Sequence, residues 1–154
     1  MVELFNPAGL RIIEDRQGAA TYGFVAPRVL YARMVGILSL ALGARFVHEL
    51  ESVTREVTSL ASFVDASALR DFDPLARGQF QALIVADRRR FASIAVLTRN
   101  ARGLVGRELA IDLGESVDLI YEPLEFERAL CNVATFPDRT AKDWGHVWQL
   151  HAPR

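Results

Sequence analysis

This chain reads as an α/β protein built on a mixed β-sheet, and three observations lead there. The N-terminal third carries short extended runs rich in Val, Ile and Tyr, separated by turn residues. From Leu42 the apolar spacing changes to three and four, through Phe46, Leu50, Val53 and Val57, which is one face of a helix. Beyond it, a buried run (Leu60 to Val64), a helix opened by Pro74 and a second buried run (Ala92 to Thr98) form the strand–helix–strand unit of a parallel sheet.

The elements follow in order. Leu10 to Glu14 is a first strand, and Gln17-Gly18 signals a turn. Thr21 to Val25 is a second strand, and Pro27 after it implies an edge position or a bulge. Val29 to Leu38 is a third, so this part should be antiparallel with hairpin connections. On the Leu42–Val57 helix, His48, Glu51 and Arg55 fall opposite the apolar face, and Glu51 with Arg55 makes an i,i+4 pair. The strand from Leu60 is expected to end at Asp65, with a polar loop to Phe72. Asp73 then suits the N-cap and Pro74 the first helical position. That helix should run to about Arg90, because the cations Arg88, Arg89 and Arg90 suit a helix carboxyl end. A helix over 101–113 stopped by Gly114, a strand from Val117 to Tyr121 and a helix from Pro123 to about Asn132 complete the domain. Residues 1–136 are expected to form one domain, and 137–154 a tail that docks back on it.

Composition narrows the function classes. The chain has 154 residues, the size of one domain, with 51% hydrophobic and 24% charged residues. A net charge of -1 argues against a dedicated nucleic-acid binder. The single cysteine, Cys131, cannot form an internal bridge, which fits a reducing compartment. The first ten residues lack a basic leader pattern. The longest apolar stretch, Met34 to Ala44, falls well short of the roughly 20 residues a membrane helix needs. The expectation is a cytoplasmic protein without a membrane span.

Chemistry-bearing motifs are few. Asp65 and Asp73 read either as a carboxylate pair at a strand end or as a turn residue and an N-cap, and no third ligand accompanies them. The stretch Thr98-Arg99-Asn100-Ala101-Arg102-Gly103 follows a strand and opens a helix, so its N–H groups, with Arg99, Asn100, Arg102 and Gly103, form a weak candidate anion site. It matches neither a P-loop nor a dinucleotide fingerprint. The histidines, His48, His146 and His151, show no metal-ligand spacing, so neither a metal nor a cofactor is expected. Cys131 has no neighbouring histidine and reads as a packing residue. Trp144 and Trp148 lie one helical turn apart in the tail, suited to self-docking or to contact with a partner or a second copy.

The element order and the pattern Val64-Asp65 followed by Phe72-Asp73-Pro74-Leu75-Ala76 resemble STAS domains, the anti-sigma-factor antagonists and their SEC14-like relatives. The resemblance covers roughly Leu10 to Leu130. In that family an Asp-Ser-x-Gly sequence opens the helix, and its serine is a phosphorylation switch. Here Pro74 stands at the serine and Ala76 at the glycine, so the resemblance implies a binding surface without the switch. It implies a non-enzymatic regulatory module whose partner is another protein, of the kinase-like or sigma-pathway kind. The contact would be made by Arg70, Phe72, Asp73, Arg77 and Gly78. The SEC14 side of the resemblance implies an alternative, a small hydrophobic ligand or lipid held in an apolar pocket between helix and sheet. An enzyme using Asp65 and Asp73 is the third reading.

Overall fold

The computed structural model describes residues 10–86, 90–99 and 117–135. Six strands form one sheet in sequential order: β1 (Arg11–Glu14), β2 (Gly18–Ala26), β3 (Val29–Leu38), β4 (Leu60–Phe72), β5 (Phe91–Leu97) and β6 (Val117–Ile120). β1, β2 and β3 are antiparallel, and β3 through β6 are parallel. The described helices are α1 (Leu40–Thr54), α2 (Pro74–Ala86) and α3 (Pro123–Thr135). The sheet is thus mixed and the fold α/β, as the apolar patterning predicts. The expected helix over 101–113 and the tail from 137 lie outside the described residues.

Alternation along the strands sends side chains to two cores. Leu30, Ala32, Met34 and Leu38 of β3 and Val64 and Ala66 of β4 pack beneath α1 and α2, against Phe46, Leu50, Phe80 and Ile84. Val29, Tyr31, Phe63 and Leu97 face the other way, against Phe126, Leu130, Cys131 and Ala134 of α3. Where both faces are covered, as over Val29 to Ala32 of β3, every position must be apolar, which is why that stretch reads as a continuous run.

The β1–β2 turn also starts α1. Asp15 Oδ1 accepts from Gln17 N (2.8 Å) and Gly18 N (3.0 Å), while its Oδ2 accepts from Ser39 Oγ (2.9 Å). Ser39 Oγ in turn accepts from Leu42 N and caps α1. The same hydrogen bonds, Gln17's first, hold the Asp15 carboxyl below its usual range. Pro27 sits in the β2–β3 turn beside Arg28 (φ 62°), just after a bulge between Phe24 and Ala26.

One boundary differs from expectation. β4 does not stop at Asp65: it runs to Phe72 and pairs with β3 from Ala61 onward, with register shifts opposite Arg33/Val35 and Gly36/Ile37. Asp65, Ser67 and Asp71 look like loop residues because they do turn chemistry inside a strand. Asp65 Oδ1 takes Ser67 N (3.0 Å) at the first irregularity, and Asp71 Oδ1 takes Phe72 N (2.8 Å) beside the second. An N–H released from the ladder by a bulge must find another acceptor, and a short acidic side chain supplies it. α2 is described to Ala86, and 87–89, where its expected end falls, lie outside the described residues. Arg90 already belongs to the approach to β5, its carbonyl accepting from Leu60 N (2.7 Å).

α1 and α2 meet through small residues. A Cβ on Gly43 would lie 2.6 Å from Ala76 Cβ and 3.3 Å from the Phe72 ring. Neither position can enlarge without separating the two helices.

Candidate functional site

The junction of β4 with α2 is built as the sequence predicts. Asp73 N donates to Leu38 O (2.9 Å), tying the helix start to the end of β3. Asp73 Oδ1 accepts from the N–H of Leu75 (2.9 Å), the second residue of the helix, and Arg77 N donates to Asp73 O (2.8 Å). Pro74 occupies the first turn, where its missing N–H costs nothing.

Of the residues assigned to a partner surface, Arg70 and Gly78 are exposed, and Asp73 and Arg77 are half-buried. Phe72 is not available: it is buried to 1% and packs against Phe80 at 6.3 Å between ring centroids. Its place belongs to Leu75, which sequence reasoning passed over and which is 68% exposed. The signal was present, because Ala76, Phe80 and Ile84 form the buried stripe of α2 at spacings of four, and Leu75 falls off it. A Cβ on Gly78 would meet nothing within 4 Å. The helix start therefore offers an exposed leucine and an open glycine on a capped, well-anchored turn.

Asp65 is separate from this surface. It lies inside β4, so about 25 Å of strand separates it from Asp73 at about 3.3 Å per residue. The two acids are not a catalytic pair. Asp65 is 4% exposed and faces α3, accepting from Ser67 Oγ (2.6 Å), with Arg33 Nε 3.7 Å from its Oδ2. Tyr31 and Glu127 share this region. Burial first, and then the Asp65 carboxylate, push the Tyr31 hydroxyl up beyond its usual range. Burial also raises the Glu127 carboxyl, and Asp65 adds to that. The Cys131 thiol is pushed up to about 12, by burial and then by Glu127, so at neutral pH it is a packing group and not a thiolate nucleophile.

A raised folded-state pKa means that the native protein holds the Glu127 proton more tightly than the unfolded chain does. Its stabilising contribution is complete below the unfolded pKa and is lost as pH rises through the folded one. Glu127→Gln should remove that loss. As pH rises from about 4, the urea midpoint of the wild type should fall relative to that of the variant. A constant difference between the two over that rise would refute the assignment.

The other sequence candidates are dispersed. Thr98 is buried and its N–H donates to Ile120 O (2.9 Å), while Arg99 is exposed. Asn100, Arg102 and Gly103 lie outside the described residues, as do Trp144 and Trp148. Among the described residues no three His, Cys, Asp or Glu side chains converge as a metal site would require, and no helix is long and apolar enough to cross a membrane.

Two hollows bear on the lipid reading. An open groove of about 560 Å³ runs between α1 and α2, lined by Ala44, Val47 and Leu83, with His48, Glu51 and Arg90 also along it. Beneath the helices a cavity of about 20 Å³ is lined by Leu50, Phe80 and Ile84, with Ser62 Oγ as a buried polar atom lacking a partner among the described residues. A space of that size holds about one water, not an acyl chain.

No family model and no curated protein sequence matches the chain. Among solved structures it is similar to the crystal structure of an uncharacterised protein of the DUF3478 family from Shewanella loihica, described as having a SpoIIAA-like fold. The identity is 14% and the TM-score 0.53, over 79% of this chain and 92% of that one. The fold is therefore STAS-like, as the resemblance of Phe72-Asp73 and the element order implied. Its particular form is SpoIIAA-like, with proline where the resemblance places a switch serine.

Proposed function

We propose that this chain is a non-enzymatic protein-interaction module of the cytoplasm, binding a regulatory partner of the kinase-like or sigma-pathway kind through the amino end of α2. The observation that carries the reading is the pairing of Leu75, 68% exposed, with the unobstructed Gly78 on a helix start fixed by Asp73. A rigid turn presenting an apolar side chain beside an open backbone lets a partner approach closely at little ordering cost. Arg70, Asp73 and Arg77 would supply the polar rim. Pro74 has no hydroxyl, so phosphorylation at that position would not control binding.

The test compares affinity capture from the native host with the wild type and with Leu75→Glu/Gly78→Arg. Both positions are open, so neither change touches the core, whereas replacing Asp73 would also remove the helix cap. Partners recovered by the wild type and absent from the variant are expected. Identical recovery by both baits would rule out this surface.

A further inference from the structure

The side of the sheet that carries α3 is only half covered by the described residues. One transverse row shows it, because the register aligns Ile12, Thr21, Arg33, Asp65, Leu97 and Ile120 across all six strands. Asp65, Leu97 and Ile120 are at most 9% exposed, whereas Ile12 is 64% exposed and Arg33 keeps 45% of its side chain open. The next row repeats the pattern: Glu14, Ala19 and Val35 align, and Val35 is 39% exposed. α3 covers β5, β6 and the near ends of β2, β3 and β4, at Val25, Tyr31 and Phe63, and leaves the far ends of β1, β2 and β3 open, with exposed apolar side chains beside Arg33.

We propose that residues 137–154 dock in cis on this open half, with Trp144 and Trp148 seated over Ile12, Thr21 and Arg33. This does not depend on the reading of α2 as the partner surface. Three observations select the tail as occupant. The first is its point of departure. α3 contacts β2, and Ala134, one residue before its end, belongs to the apolar cluster that Val25 and Ala26 of β2 join. The chain therefore leaves α3 on the same face, at the border of the uncovered half. The second is reach. From Thr135 to Trp144 an extended chain spans up to about 30 Å, whereas Ala19 lies about 20 Å along β2 from Val25. The third is composition. Trp144, Val147 and Trp148 have the i, i+3, i+4 spacing that would place them on one side of a helical turn, and an indole face suits the exposed part of the Arg33 guanidinium.

Trp144 and Trp148 are the only tryptophans in the chain, so indole fluorescence reads the tail alone. In the 154-residue chain, acrylamide quenching should be several-fold weaker than for a free tryptophan amide, with blue-shifted emission. Ile12→Glu/Val35→Glu should restore free-amide quenching while leaving the far-UV circular dichroism unchanged. Ile12→Glu alone, at the most exposed of these positions, should shift quenching in the same direction and serves if the double variant does not fold. Quenching in the wild type equal to the free amide would overturn the proposal, as would protection that persists in both variants. Protection that disappears on dilution together with a dimer would assign the face to a second copy and overturn docking in cis.

Discussion

Phe46→Ala should lower stability by about 3–5 kcal/mol, the range for deleting a fully buried aromatic side chain. Phe46 is 0% exposed and joins three elements. Its ring meets Tyr22 of β2 edge-on at 6.0 Å and stacks near Phe80 of α2 at 6.1 Å, while its own backbone belongs to α1. Removing it opens a space beneath both helices that neighbours cannot fill by small shifts, because Gly43 and Ala76 already hold α1 and α2 in contact. A domain of this size is stable by about 5–15 kcal/mol, so the variant should lose a large share of its stability. Urea denaturation should show a large fall in midpoint with an unchanged slope. Phe46→Ala and Phe80→Ala should combine to less than the sum of their separate losses, because they share one contact. A loss near 1 kcal/mol or below would mean that the rings do not form a single packed unit.

The sequence was informative where local physics decides structure. β3 has the predicted bounds, because a run of β-branched, aromatic and other apolar residues, interrupted only at Arg33 and Gly36, strongly favours a strand. The Asp73-Pro74 helix start was legible because capping is a local reaction between one side chain and one nearby N–H. β4 was misread at Asp65, Ser67 and Asp71 for a related reason. The short polar side chains that make turns also satisfy N–H groups at bulges, and only the pairing with β3 distinguishes the two uses. The cluster of Tyr31, Asp65 and Glu127 was missed because its members come from three elements far apart in the chain. One trace of it could have been read. Phe126, Leu130, Cys131 and Ala134 mark the buried stripe of α3, and Glu127 lies on that stripe, an acid where an apolar residue is expected.

This division between local and non-local information also governs the candidate site. Asp73 and Gly78 could be named in advance, since one caps and the other lacks a side chain. Whether Phe72 or Leu75 faces a partner depended on which way the end of β4 enters the core, and β4 enters with Phe72 against Phe80. The surface that remains is small and rigid, and its apolar content comes from the first turn of α2 instead of the strand before it.

Gly36→Val should destabilise by about 3 kcal/mol or more, through two independent causes. Gly36 has φ +76°, in the left-handed region where a β-branched residue pays about 1–3 kcal/mol of backbone strain. A Cβ there would also lie 2.4 Å from Gln17 O, a backbone atom that cannot rotate away. That carbonyl accepts from Ile37 N (3.0 Å), so retreat of Gln17 would break this bond, at a further cost of about 1 kcal/mol. The damage should spread along identifiable contacts. Gln17 belongs to the turn held by Asp15, and Asp15 also binds the Ser39 hydroxyl that caps α1. Hydrogen exchange should therefore quicken at Leu42 and its neighbours in the first turn of α1 as well as at the turn itself. Gly78→Ala is the matched control: its site is helical and open, so the substitution should stabilise by about 0.5–1 kcal/mol through helix propensity. Two glycine substitutions with opposite signs would separate a glycine required by backbone geometry from one whose only structural effect is to leave space. If Gly36→Val proved as mild as Gly78→Ala, the left-handed turn and its link to the α1 cap would both be wrong.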